Sequence, residues 1–174
     1  MEINSNYFNN QSFKFEVETC PTLSEFIQTI GIPSINLGET PHDTALIQRK
    51  EPGDRLTYGT INISFIVNED LQNWFEIYEW FTGLGFPDNF QQHSRFKNRH
   101  FLAESGVGNL TSTAFLLLYD NNQQPVMKIY FYDVFPISLS EITLTTTDTM
   151  TNNVACIVDF QFTNLKVEKL NNII

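Results

Sequence analysis

The residue types that most often carry chemistry are sparse in this chain, and their spacing matches no familiar site. His93 and His100 are seven positions apart without cysteine or acidic partners beside them, which fits no common zinc site, and His42 stands far from both. Glu76 and Glu79 offer two carboxylates, but on a helix they are expected to form its solvated edge. We therefore expect no metal, no cofactor and no enzymatic activity.

Two further candidates for chemistry are also weak. Cys20 and Cys156 form no CxxC pair, so both thiols are expected to be small core residues. The "GVGN" stretch at 106–109 lacks the third glycine and the preceding strand of a dinucleotide-binding fingerprint.

The opening "MEINSNYFNN" lacks the regions of a signal peptide, and no apolar run approaches the ~18 residues of a membrane span. We expect synthesis in a cytosol and no membrane partner.

The composition describes an acidic, aromatic-rich globular chain. It has 174 residues, with 20 acidic against 10 basic side chains and a formal net charge of −10. That balance argues against nucleic-acid binding, because neutralising phosphates needs clustered Lys and Arg. It suits a surface that repels DNA, and equally one that is simply soluble. We expect a single domain over 1–174, with a loose arm at 1–11.

The first half of the chain alternates as β-strands do. Phe13, Phe15 and Val17 share one face of a strand, and residues 43–66 predict a long hairpin that turns at "EPGD". The apolar phase then shifts at Gly59-Thr60, where glycine suits a β-bulge that would bend the strand.

One helix is predicted at about 69–84. Asn68 is the expected N-cap, with Glu69 and Asp70 in the first turn, and Gly85 and Pro87 end the helix. Its apolar arc is broader than one packing contact needs. Either part of it meets another subunit, with Trp74 and Tyr78 as candidates, or the whole arc lies over a sheet.

A polar connector over 87–111 contains "HSRFKNRH", in which Arg95, Lys97 and Arg99 alternate. This is either a docking site for an acidic partner or a solvated loop.

After it, "STAFLLLY" and "PVMKIYFYDVF" predict a hairpin. "SLSEITLTTT" predicts a strand with Ile142 and Leu144 inward. A last strand places four residues on one face: Cys156, Val158, Phe160 and Phe162. Seven or eight strands and one helix indicate an α+β fold, mainly an antiparallel β-sandwich or partly closed barrel.

The order of these parts resembles the tail tube proteins of contractile-tailed, T4-like bacteriophages, over roughly residues 12–168. The blocks that carry the resemblance are "PGDRLTYGTINISFIVNED", the helix after it, and "DVFPISLSEI". The resemblance implies a two-sheet antiparallel fold flanked by a helix. It also implies subunits that form six-fold rings, which stack into a hollow conduit for phage DNA.

Partners and site residues follow from that resemblance. The implied partners are five further copies in a homo-hexamer, the tail sheath, and the baseplate or tube initiator. Tape-measure protein and phage DNA would lie inside the lumen without specific binding. The implied location is the virion tail, assembled in the host bacterial cytoplasm. The loop and hairpin over 38–57 correspond to the segment that reaches the adjacent ring, with the ring-stacking candidates Arg49, Lys50, Asp54 and Arg55.

The lumen of such a tube is expected to be polar and acidic so that DNA does not adhere, and the candidate lumen residues are Glu141, Thr143 and Thr145.

Baseplate proteins share the fold, so a tube initiator or terminal ring is the alternative to a tube subunit. A monomeric β-sandwich binding module is a third possibility, separated from the others by concentration-dependent assembly. An enzyme is least expected.

Overall fold

A computed structural model describes residues 7–43, 46–85, 91–92, 111–146 and 153–170. These ranges contain nine strands, one α-helix and one short 3-10 helix: β1 Phe13–Val17, the 3-10 helix Thr22–Glu25, β2 Ile27–Ile30, β3 Ile35–Asp43, β4 Gln48–Tyr58, β5 Ile61–Ile66, α1 Gln72–Gly85, β6 Ser112–Tyr119, β7 Pro125–Leu139, β8 Ala155–Gln161 and β9 Asn164–Lys169. Within them no helix is both long and apolar enough to cross a membrane.

Strand β7 joins two antiparallel sheets. Residues 127–132 of β7 pair with β9 and residues 125–134 pair with β6, whereas residues 135–139 pair with β8. Asp133, at a positive φ of 55°, marks the change of partner. We call β1, β6, β9 and the first part of β7 the front sheet, and β2, β5, β8 and the last part of β7 the back sheet. The expected mainly antiparallel α+β fold is confirmed, as an open structure and not a closed barrel.

The core is built from the inward faces of these alternating strands. Phe15 on β1 contacts Phe131 on β7, with ring centroids 6.3 Å apart, and Phe131 lies 5.2 Å from Phe162. The predicted inward face of the last strand is confirmed, because its four members are all buried. Both cysteines are buried free thiols, as expected. Two aromatic-rich sheet faces therefore close over one another around large rings.

Helix α1 covers the core but begins later than predicted. Trp80 is fully buried, with its ring centroid 5.8 Å from that of Phe160. The helix starts at Gln72, so Glu69 and Asp70 lie in a preceding turn and not in the first helical turn. The reason is Leu71, whose positive φ of 52° interrupts the helical path.

Two asparagines close the gap between β5 and α1. The Asn73 N–H donates to Oδ1 of Asn68 (3.4 Å), and the Asn68 N–H donates to Oδ1 of Asn73 (3.3 Å). The buried Asn73 amide also donates to the carbonyl of Ile66 at 2.8 Å. The N-cap position is therefore Leu71 and not Asn68 as predicted, but the Asn68 side chain still accepts from an N–H of the first helical turn.

The "EPGD" stretch is not a turn, and this corrects the predicted hairpin. Strand β4 runs straight through it and pairs with β3, whose register shifts between Leu37 and Glu39. Pro52 lies opposite Glu39, and a Cβ on Gly53 would stand 2.4 Å from the Gly38 carbonyl oxygen. Proline, which lacks an N–H, and glycine, which allows close backbone approach, both favour an irregularity inside a strand pair. The two strands of this hairpin are connected between residues 43 and 48.

The predicted bulge at Gly59-Thr60 is instead a break between two strands. Strand β4 ends at Tyr58 and β5 begins at Ile61. The Gly59 N–H donates to the Ser34 carbonyl at 2.9 Å, and a Cβ on Gly59 would stand 2.7 Å from the Ser34 hydroxyl oxygen. The chain therefore leaves the β3–β4 hairpin and enters the back sheet at the glycine.

The Thr-rich segment after β7 forms no strand, contrary to expectation. Residues 140–146 are irregular; Ile142 is half-buried against the core, but Leu144 is exposed and not inward. Strand β8 already pairs with β5 on one side and β7 on the other, so an alternating segment here has no edge on β8 to join.

Candidate assembly surfaces

The β3–β4 hairpin carries an exposed apolar face, which we call the hairpin patch: Ile35, Leu37 and Leu56, whose exposed fractions are 56%, 52% and 55%. Leu37 lies opposite Leu56, and Ile35 lies opposite Tyr58. The Tyr58 ring is 5.4 Å from Phe162, so the patch continues the core face outward beyond the two sheets. A two-stranded sheet is marginal in water by itself, so its uncovered apolar face makes the hairpin patch a candidate contact surface.

The four predicted ring-stacking residues all lie exposed on this hairpin, but at two levels. Arg49 and Lys50 pair with the last residues of β3, whereas Asp54 and Arg55 lie at the irregularity nearer the base. Lys50 forms an ion pair with Glu39. Exposed pairs of this kind contribute little stability, so these charges are better suited to selecting a partner.

A second exposed apolar surface, which we call the helix patch, consists of Phe75 and Tyr78 on α1 and of Leu71 just before the helix, with exposed fractions of 44%, 45% and 49%. Trp74 is half-buried and stacks on Tyr78, with centroids 5.4 Å apart and an interplanar angle of 9°. The alternative in which the whole arc lies over a sheet is therefore wrong, and contact of the open part with another subunit stays a prediction. Ile77 and Trp80 are buried against the core, and Phe75 and Tyr78 remain open.

Glu76 is not a solvated edge residue of the helix. Its carboxylate accepts hydrogen bonds from the Thr22 hydroxyl (2.6 Å) and the Thr22 N–H (3.2 Å), and it thereby joins α1 to the 3-10 helix. Burial, and secondarily the Glu76 charge, raises the pKa of the Cys20 thiol. Burial therefore favours the protonated thiol of Cys20 within the core.

The outward faces of the two sheets differ in charge. The back sheet presents Asn62 and Asp159, joined by an amide-to-carboxylate hydrogen bond of 2.7 Å, and its strand segments contain no Lys or Arg. The front sheet presents lysines, including Lys128, whose ammonium lies 4.2 Å from the centroid of the Phe115 ring. The back sheet is therefore the face less able to hold phosphate.

The remaining sequence candidates fall elsewhere. Glu141, Thr143 and Thr145 are exposed on the irregular segment after β7, so they do not share the face of a strand. Arg95, Lys97 and Arg99 lie outside the described residues. Sequence reasoning did not include Asn62 or Asp159 among the lumen candidates, although both are polar members of alternating strands. Across the residues that the structure describes, no three His, Cys, Asp or Glu side chains group to hold a metal.

Comparison with known proteins finds similarity to components of contractile tails and injection systems. No protein-family model matches the chain. The chain is 27% identical over 178 residues to the tail tube terminator protein of Enterobacteria phage T4, covering 97% of this chain and 93% of that protein. In structure it resembles a chain of the anti-feeding prophage tube-terminating cap, with a TM-score of 0.62, 13% identity and coverage of 98% and 97%. It also resembles a chain of the sheath–tube complex of an extracellular contractile injection system, with a TM-score of 0.56, 12% identity and coverage of 95% and 94%.

These similarities confirm the resemblance to tail tube proteins of contractile-tailed bacteriophages, together with the fold that it implies. The particular relative is a tube terminator, so the comparison favours the terminal ring, the alternative interpretation, over the tube subunit. The expected place in the virion tail agrees with that relative.

Proposed function

We propose that this chain is a structural protein of a contractile tail, a terminator that forms the last ring of the tail tube. The observation that carries the proposal is the similarity to the T4 tail tube terminator over nearly the whole of both chains. The structural similarities support the fold, which tube and terminator chains share. The protein would be assembled in the host cytoplasm and remain in the virion tail.

In this proposal six copies form a ring on the end of the tube. The hairpin charges Arg49, Lys50, Asp54 and Arg55 contact the adjacent tube ring, where their exposure on a protruding hairpin suits docking. Trp74 and Tyr78 contact a neighbouring subunit. Outside the ring, Arg95, Lys97 and Arg99 contact acidic surface of the sheath, while the baseplate and tube initiator lie at the other end of the tube.

The back sheet is proposed to line the lumen, through which tape-measure protein and then DNA pass. Its strands carry no cation, and binding to DNA depends on Lys and Arg that neutralise phosphates. Glu141, Thr143 and Thr145 follow this sheet directly in the chain and would border the opening. Their exposure supports a position on a surface that must not retain DNA.

The test is arrest of tube growth. Tube subunits of the same tail are polymerised with increasing amounts of the purified protein, and tube lengths are measured by negative-stain electron microscopy. A terminator shortens the tubes at substoichiometric ratios and forms no tubes when incubated alone. The second candidate, a tube subunit, is favoured instead if the protein alone forms long tubes or enters growing tubes without limiting their length.

A further inference from the structure

We propose that the outward face of the front sheet docks on the same face of a second copy, so that two free chains pair about a two-fold axis. The face consists of four neighbouring strands in the order β1–β6–β7–β9. A two-fold contact closes at two copies and builds no ring. This inference therefore goes beyond the proposed function and does not depend on it.

The register of these strands aligns two rows of side chains across the face. Phe15, Leu116 and Ile129 lie between the two rows on their strands, are buried and point into the core. The outward rows, read from β1 to β9, are Lys14, Leu117, Lys128 and Glu168 in the first row, and Glu16, Phe115, Tyr130 and Lys166 in the second.

The middle of the face is apolar and partly exposed. Phe115, Leu117 and Tyr130 each keep part of their surface open, and Tyr132, which is 38% exposed, continues the apolar strip along β7. The Lys128 ammonium lies 4.2 Å from the Phe115 ring centroid and 4.5 Å from that of Tyr130. An aromatic centre between charged outer strands matches the usual anatomy of a protein–protein contact, which has an apolar core and a polar rim.

The charges at the rim place like signs on a diagonal. Lys14 and Glu168 end the first row, and Glu16 and Lys166 end the second. If a second copy is turned over about an axis that runs across the strands between the rows, the first row of each copy faces the second row of the other. Lys14 then faces Glu16 and Lys166 faces Glu168, so no like charges meet at these four positions. Opposite charges across a contact select the partner and its register.

The same turn also suits the remaining charged groups of the face. It places Lys128 over Tyr130 of the other copy, so that the ammonium lies between aromatic rings of both copies, which cation–π attraction favours. Glu18 lies one step beyond the second row on β1 and comes to face the position of Ser12, where it meets no charge. The face is therefore complementary to itself in its centre and at its rim.

A partner of uniform charge fits this face less well than a second copy does. An acidic surface would meet Glu16 and Glu168, and a basic surface would meet Lys14 and Lys166. Within one chain Lys14 already forms an ion pair with Glu16, but an exposed pair of this kind contributes little stability by itself. In the pair of copies these groups join a cluster of four alternating charges.

The experiment is sedimentation velocity of the full chain over a series of concentrations, with three charge variants. The acidic variant is Lys14→Glu with Lys166→Glu, and the basic variant is Glu16→Lys with Glu168→Lys. The inverted variant combines all four changes, so it keeps both the net charge and the diagonal arrangement. Because four short strands make a small interface, we expect the wild-type dimer to dissociate on dilution.

The expected result is loss of the dimer in the acidic variant and in the basic variant, because each then presents one sign of charge to its own copy. An equimolar mixture of these two variants should restore the dimer. The inverted variant is the matched control and should form a dimer as the wild type does. All four side chains lie at the surface, so the circular dichroism spectrum should be unchanged throughout.

Three results would overturn the proposal: a wild type that stays monomeric at every concentration, association that the acidic and basic variants retain, or an inverted variant that does not pair. The assay of tube growth is independent of these outcomes. If the protein shortens tubes but does not pair in this way, the two-fold contact is wrong and the terminator assignment stands. If the charge variants behave as expected but tube growth continues unchanged, the contact stands and the terminator assignment is wrong.

Discussion

Asn73 offers a sharp test of how the helix is attached to the back sheet. Its side chain is fully buried, donates to the Ile66 carbonyl at 2.8 Å and accepts from the Asn68 N–H at 3.3 Å. Asn73→Ala leaves both partners without this side chain, and each buried unpaired group costs about 1–3 kcal/mol. We expect a loss of about 3 kcal/mol in the free energy of unfolding, after partial relaxation.

The assay is urea denaturation followed by tryptophan fluorescence, with Gln72→Ala as the matched control. Gln72 is the exposed neighbour, and its side chain makes one longer bond of 3.3 Å to Glu76. The control should therefore change stability by less than about 0.5 kcal/mol. If Asn73→Ala is as stable as the control, the asparagine pair does not hold the helix, and the account of this junction is wrong.

Three further changes test other parts of the account. Thr22→Val removes the hydroxyl that donates to a helix carboxylate at 2.6 Å, so we expect a loss of about 1.5–3 kcal/mol in urea denaturation; an unchanged midpoint would contradict this. Arg49→Glu with Arg55→Glu should weaken attachment to tube ends in a pull-down without altering the circular dichroism spectrum, and full attachment would refute the docking role. Asn62→Lys with Asp159→Lys places cations on the proposed lumen face. It should create salt-sensitive DNA binding in a gel-shift assay, and binding no stronger than that of the wild type would contradict the assignment of this face to the lumen.

Much of the strand pattern could be predicted from local alternation. Phe15 and Val17 on β1, and the inward residues of β8, are buried where a period of two places them. The hairpin of β6 and β7 also follows from two alternating runs around a short polar turn. These elements are predictable because one buried face imposes the period on each strand.

The predictions of secondary structure are wrong where contacts between distant parts of the chain decide the local conformation. Pro52-Gly53 is a strong turn signal, but here it accommodates a close approach to Gly38 inside a strand pair. The Thr-rich segment after Leu139 alternates well, yet β8 has no open edge for it. Neither a backbone approach nor the occupancy of a sheet edge is encoded in local sequence.

The assembly surfaces were only partly predictable. The broad apolar arc of α1 indicated an open face, and the structure assigns that face to Phe75 and Tyr78. The hairpin patch depends on the pairing of Leu37 with Leu56, which appears only once the register is known. Tube subunits and terminators share one fold, so no strand pattern separates them, and the similarity to a terminator carries that distinction.

The most direct test of the central claim is to locate the protein in intact tails. A small affinity tag on the chain, labelled with gold particles, would be imaged by electron microscopy on isolated, uncontracted tails. The account predicts label at one end of the tail tube only. Label spaced along the whole length of the tube would contradict it and identify the protein as a tube subunit.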